Sequence, residues 1–175
     1  YEHWDPICAN TMVCAALEFV SGTVLEARKE VSEMEVQPTA SSWPKYLGAK
    51  SGMVPGFSCT AFPKKTHPDI SAYIQALPDI DDYLCLVNDI LSFYKEEFAG
   101  ETMTDVQIRS KTSQKHPKRV LVEMVQEVGN LHARIAATLE GQPEVFSAWK
   151  ILEHGFIAWH LSIERYKLSQ FGICW

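Results

Sequence analysis

The stretch PDIDDYLCLVNDILSFYKEEFAG, residues 78–100, decides the fold. Proline suits the first helical position, Asp79 places a carboxylate in the first turn, and Gly100 can take the left-handed conformation that ends a helix. Between them Leu84, Leu86, Val87, Ile90, Leu91 and Phe93 make the segment apolar on nearly every side, which predicts an interior helix running to about Phe98. One stripe breaks the pattern. Asn88, Ser92 and Glu96 recur every four residues, so on a helix they climb about 12 Å while drifting about 80°, and they share one face. A polar row in an apolar helix needs a partner. Amide carbonyl, hydroxyl and carboxylate are hard oxygen donors, the set favoured by Mg2+ and also by Mn2+. With one formal charge among them, they would hold an ion weakly alone and firmly when phosphate oxygens complete its shell. Lys95 lies on the same stripe, where its ammonium could meet that phosphate. The alternative is the polar face of an ordinary surface helix.

The rest of the chain reads as helices. Asp5-Pro6 opens a helix to about Glu33, with Met12, Ala16, Phe19, Val20 and Val24 at helical spacing. A proline and serine loop follows at 35–44. The segment WPKYLGAKSGMVPGFSCTAF, residues 43–62, is helical in pattern but carries Gly52, Pro55 and Gly56, which predicts a break near 52–56. Pro68-Asp69 starts a short helix. Residues 101–117 are polar and are expected to form a mobile loop. Pro117 begins a helix to about Glu140, Gly141 ends it, and Pro143 opens the last one, to roughly Leu168. No segment alternates apolar and polar residues as a strand would, and no repeat is present. The expected fold is all-α, an antiparallel bundle of five or six helices forming a single domain over 1–175.

Composition narrows the classes of function. Of 175 residues 46% are hydrophobic, ample for a core, and the net charge is −6 with both signs mixed throughout, which disfavours nucleic acid as a partner. No apolar run is expected to reach the roughly 18–20 residues of a membrane span, and no signal peptide pattern opens the chain. A soluble, cytoplasmic protein is the expectation. Cys8, Cys14, Cys59, Cys85 and Cys174 sit singly among apolar neighbours, without the paired spacing of a zinc site, and are expected to be reduced core thiols.

Taken together, VNDILSFYKEE resembles the second metal motif of class I terpene cyclases, N-D-x-x-S-x-x-x-E, in the form typical of the fungal trichodiene synthase-like sesquiterpene cyclases. HGFIAWHLSIERYKLSQ, residues 154–170, is similar to that family's last catalytic helix, with Arg165-Tyr166 at its Arg-Tyr pair. The opening HW and the WPKYL segment fit the same alignment, so the resemblance covers nearly the whole chain. It implies a terpene cyclase bundle, a lyase that ionises and cyclises a prenyl diphosphate, farnesyl diphosphate being the expected substrate. Asn88, Ser92 and Glu96 would hold one Mg2+, and Lys95, Arg165 and Tyr166 would grip the diphosphate. The carbocation would need a closed apolar cavity with aromatic faces. Trp159, within about 20° of Tyr166 on a continuous helix, would form part of its wall.

Two departures qualify that implication. The family's aspartate-rich first metal motif is missing; the DIDDY cluster at 79–83 reads as helix-start carboxylates. By the family's pattern that motif belongs before Tyr1, so the chain is expected to be the C-terminal half of a cyclase or a protein that lost its first half. Gly48 stands where relatives carry a diphosphate-sensing arginine, with Lys50 the nearest cation. The alternatives are a cyclase-derived protein that binds an apolar ligand or runs non-ionising chemistry, and an inactive scaffold. A bundle lacking half its helices would expose apolar surface, so a homodimer or a missing N-terminal half is the expected partner. Arg165 could instead be a structural ion pair with Glu164 or Glu153.

Overall fold

A computed structural model describes residues 2–171. They form eight α-helices and no strand: α1 Pro6–Glu26, α2 Lys29–Ser32, α3 Trp43–Ser51, α4 Val54–Thr60, α5 Leu77–Ala99, α6 Asp105–Ser113, α7 Pro117–Thr138 and α8 Pro143–Ser162, with short 3-10 turns at Ile70–Ala72, Glu164–Tyr166 and Leu168–Phe171. The all-α expectation holds. The helix count exceeds five or six because α2, α4 and α6 are additional short elements.

Local chemistry accounts for most boundaries. The Asp5 carboxylate accepts from the Ile7 amide at 2.8 Å, capping α1, a contact whose loss costs about 1 kcal/mol. Proline lies in the first turn of α1, α5, α7 and α8, where its missing N–H is no loss. Gly100 closes α5 with φ 73°. α1 stops at Glu26 rather than near Glu33, because Arg28 is extended before α2 begins.

At the centre lies α5, packed against α4, α6, α7, α8 and the Glu164–Tyr166 turn. Its Ile80 and Leu84 join Met124 and Ile135 of α7 and Trp149 of α8 in the fully buried core. α7 is amphipathic in the ordinary way, burying Val120, Met124, Leu131 and Ile135 at helical spacing.

The expected mobile loop at 101–117 is instead largely helix. Thr104 caps α6, and Val106 and Ile108 are 0% exposed. Ile108 packs with Val36 and Leu47 in a second small core. Two buried apolar residues are enough to anchor nine residues whose composition is otherwise polar.

α1 corrects another expectation. An 18-residue window has mean hydropathy 1.5, so by length and composition alone this helix could cross a membrane. Here it lies against α3 and α4. Gly22 is where the backbones meet: a Cβ there would stand 2.7 Å from the Lys50 carbonyl carbon, so any side chain forces the helices apart. Cysteine placement is mixed as well. Cys8 and Cys59 are buried and Cys85 is half-buried, but Cys14 is exposed, facing solvent on α1, and Cys174 lies outside the described residues.

Candidate functional site

The break between α3 and α4 falls at Gly52-Met53, within the segment whose glycines and proline forecast it. Met53 takes a left-handed conformation, φ 52°, which a methionine adopts at a cost that surrounding packing must offset. The break opens onto a cavity of about 640 Å3 between α3, α4, α5 and α8. Val54, Phe57, Ile151, Leu152, Phe156 and Trp159 give it apolar walls, and Asn88 and Asp89 of α5 form a polar edge. A second cavity adjoins it, lined by Asn88, Asp89 and Glu96 and by residues 100–105. Gly48 lines both.

The row on α5 keeps its shared face, although its members differ in exposure. Ser92 is 2% exposed and belongs to the interior. Asn88 and Glu96 are half-buried. Lys95 Nζ lies 2.9 Å from Glu96 Oε1. Burial pushes the Glu96 carboxyl above its ordinary range, opposed by Lys95 and by the charge of Arg165. Arg165 itself lies in the Glu164–Tyr166 turn, which packs against α5.

The last helix does not run to Leu168. It stops at Ser162, where Ile163 turns extended, and Arg165 and Tyr166 lie in a separate 3-10 turn. No glycine or proline marks this end. Aromatic packing explains it: Tyr166 is 3% exposed, its ring 4.6 Å from His160 and 5.6 Å from Trp159. The two rings meet because the chain doubles back, not because they stack along one helix. Burial raises the Tyr166 phenol pKa, while Arg165 and a hydrogen bond with Asn88 act against that rise. Glu153, one expected partner for Arg165, is buried and already held by Lys150 and His132.

His160 escaped the sequence reading. It is 0% exposed; its Nδ1 lies 2.8 Å from the Phe156 carbonyl, and its Nε2 lies 3.0 Å from Asn88 Nδ2. Burial lowers its pKa, favouring the neutral ring. A single histidine in an apolar stretch is a common core residue, and only its contact across to Asn88 singles it out. Asp89 was also passed over. Burial and the neighbouring Asp105 push its carboxyl well above the usual range, with Arg109 opposing. Arg109 in turn pairs with Asp105 at 2.7 Å and Glu127 at 2.8 Å, fastening α6 and α7 beside α5.

Other candidates are drawn elsewhere. Lys50 pairs with Glu18 of α1 and so turns from the cavity. At Gly48 a Cβ would stand 2.9 Å from Cys85 Sγ, so a larger residue there requires that thiol to move. The DIDDY carboxylates serve structure: Asp79 makes a two-point contact with Arg134, Asp82 pairs with Lys45, and Asp81 accepts from Ser58.

Among the described residues no three His, Cys, Asp or Glu side chains cluster as a metal site. The oxygen row draws on an amide and a hydroxyl instead. Its donor chemistry fits a hard divalent cation, with Asn88, Ser92 and Glu96 spaced along one face.

Comparison with known proteins agrees with this architecture. The sequence profile of the trichodiene synthase (TRI5) family matches residues 1–171. Terpene synthase BipA of Cochliobolus sativus is 35% identical over 95% of this chain and 52% of its own length. Longiborneol synthase CLM1 of Gibberella zeae is 29% identical over 99% of the chain and 52% of its own length, and alpha-cuprenene synthase COP6 of Coprinopsis cinerea is 33% identical over 93% and 49%. The chain therefore spans about half the length of the curated relatives it matches. With a helical bundle, an apolar cavity and Asn88 of the oxygen row at its edge, this chain belongs to the trichodiene synthase family.

Proposed function

We propose that this chain supplies one side of the active site of a divalent-metal-dependent cyclase acting on a prenyl diphosphate, with farnesyl diphosphate as substrate and a sesquiterpene as product. The observation that carries the reading is Asn88 at the edge of an apolar cavity of about 640 Å3, on the helix against which the Arg165-Tyr166 turn packs. A cavity of that size suits a small-molecule ligand.

Asn88, Ser92 and Glu96 would hold Mg2+, or Mn2+. When bound, the ion would neutralise charge on the departing diphosphate. Lys95, Arg165 and Tyr166 would donate hydrogen bonds to the same group, the guanidinium at two points. Breaking the allylic carbon–oxygen bond leaves both electrons on the diphosphate and a cation on the prenyl chain. Phe57, Phe156 and Trp159 would face that cation with aromatic rings, and Val54, Ile151 and Leu152 would help to keep water out.

Glu96→Gln tests the reading. It removes the only formal charge of the row, so steady-state turnover of the natural gene product should require several-fold more Mg2+ at an unchanged melting temperature. An unaltered Mg2+ dependence would remove Asn88, Ser92 and Glu96 from the metal site.

A further inference from the structure

His160 and Asn88 come from helices distant in sequence and meet in the interior. A carbonyl oxygen can only accept, so at 2.8 Å from Phe156 O the Nδ1 of His160 must carry the ring hydrogen. In a neutral imidazole Nε2 then offers only a lone pair. Its neighbour at 3.0 Å, Asn88 Nδ2, must be the donor. That contact engages the nitrogen side of the amide and leaves its carbonyl oxygen for another partner.

We infer that His160 is a positioning residue that fixes which end of the Asn88 amide faces the metal site. The inference rests on Asn88 being a ligand, as proposed above. The two ends of a primary amide are nearly equal in shape, and its terminal torsion has two broad wells. Chemically they are opposites: a hard cation takes the oxygen and is repelled by the NH2 hydrogens. Without an acceptor on α8 the amide could present either end. Groups that orient metal ligands in this way matter to binding, their loss costing roughly 10–100-fold in metal affinity.

Two variants separate orientation from packing. His160→Phe keeps a ring against Phe156, Trp159 and Tyr166, whose centroids lie 4.5, 4.8 and 4.6 Å away, but removes the acceptor. His160→Gln restores an acceptor oxygen on a flexible stem. Mn2+ binding to the natural gene product, with inorganic diphosphate present, is read from the free-ion paramagnetic resonance signal. The phenylalanine variant should bind Mn2+ roughly 10–100-fold more weakly and the glutamine variant within roughly threefold of wild type. Nitrogen-15 spectra of the wild-type protein should show the His160 ring protonated at Nδ1 and bare at Nε2, a readout that needs no variant to fold. Wild-type Mn2+ affinity in His160→Phe, equal loss in both variants, or a ring protonated at Nε2 would overturn the inference. Asn88→Ala is the control for the underlying assignment. If it too binds Mn2+ normally, the assignment of the oxygen row falls; if it alone loses Mn2+, only the role of His160 falls.

Discussion

α1 and α5 are of similar length and both strongly apolar, 21 and 23 residues, yet they are used in opposite ways. α5 is surrounded and buries Leu77, Ile80, Tyr83, Leu84, Leu86 and Val87, with Ser92 among them. α1 buries only Cys8, Ala15 and Gly22, and turns Ile7, Val13, Leu17, Val20 and Val24 outward at 57–65% exposure. Its small residues recur every seven positions, so α3 and α4 come close and the large side chains are left on the far side. Apolar composition announces that a helix seeks cover. It does not say which face is covered first, and here the smallest face was.

Breaking that close approach should have the largest effect. Gly22→Leu places atoms where the Lys50 backbone already lies, and should cost about 3 kcal/mol or more. A melting temperature within a degree or two of wild type would mean that α1 does not depend on the contact. Beside α5, in the Glu164–Tyr166 turn, the counterpart is functional rather than structural. Arg165→Lys keeps the charge but loses the planar fork, so turnover of farnesyl diphosphate by the natural gene product should fall roughly 10–100-fold, about 1.4–3 kcal/mol, with little change in melting temperature. The product mixture in gas chromatography should also broaden. Equal rates and products would mean that Arg165 does not touch the substrate.

A polar group on the α4 side of α5 sharpens the contrast further. Burial pushes the Asp81 carboxyl to about 6, with Ser58 opposing and Asp82 adding to the rise. Unfolded aspartate releases its proton near about 3.9. The folded state therefore binds more protons between those values, and stability falls as pH rises from about 4 through 6. Asp81→Asn should remove that slope and stabilise the protein at pH 8 by about 1–2 kcal/mol, measured by urea denaturation. A slope that survives the substitution would assign it to another group. The smallest change in folding energy belongs to the outer face of α1. Leu17→Lys with Val20→Lys should alter stability by roughly 0.5 kcal/mol or less, but should shift the chain of residues 1–175 toward monomer in sedimentation, because an exposed apolar face of this kind favours association. Monomeric behaviour of the unsubstituted chain at tens of micromolar would show that the face needs no cover.

Residue order by itself determined the helices and where most of them begin, because proline, aspartate and glycine act within a turn of their own position. Pro6, Pro78, Pro117 and Pro143 mark four helix starts, Gly100 marks one end, and the Gly52–Gly56 signals forecast the α3–α4 break. The row of Asn88, Ser92 and Glu96 was legible for the same reason: helical spacing is local geometry. Tertiary structure alone decided the rest. α6 forms where polarity forecast a loop, since Val106 and Ile108 gain their burial from α7 and from the Val36–Leu47 cluster rather than from their neighbours in sequence. The end of α8 at Ser162 carries no local signal, because what draws the chain aside is Tyr166 packing on His160 and Trp159. His160 acquires meaning only against Asn88, 72 positions away. Local rules fix what a segment can be; which groups it meets depends on contacts between segments that no window of sequence contains.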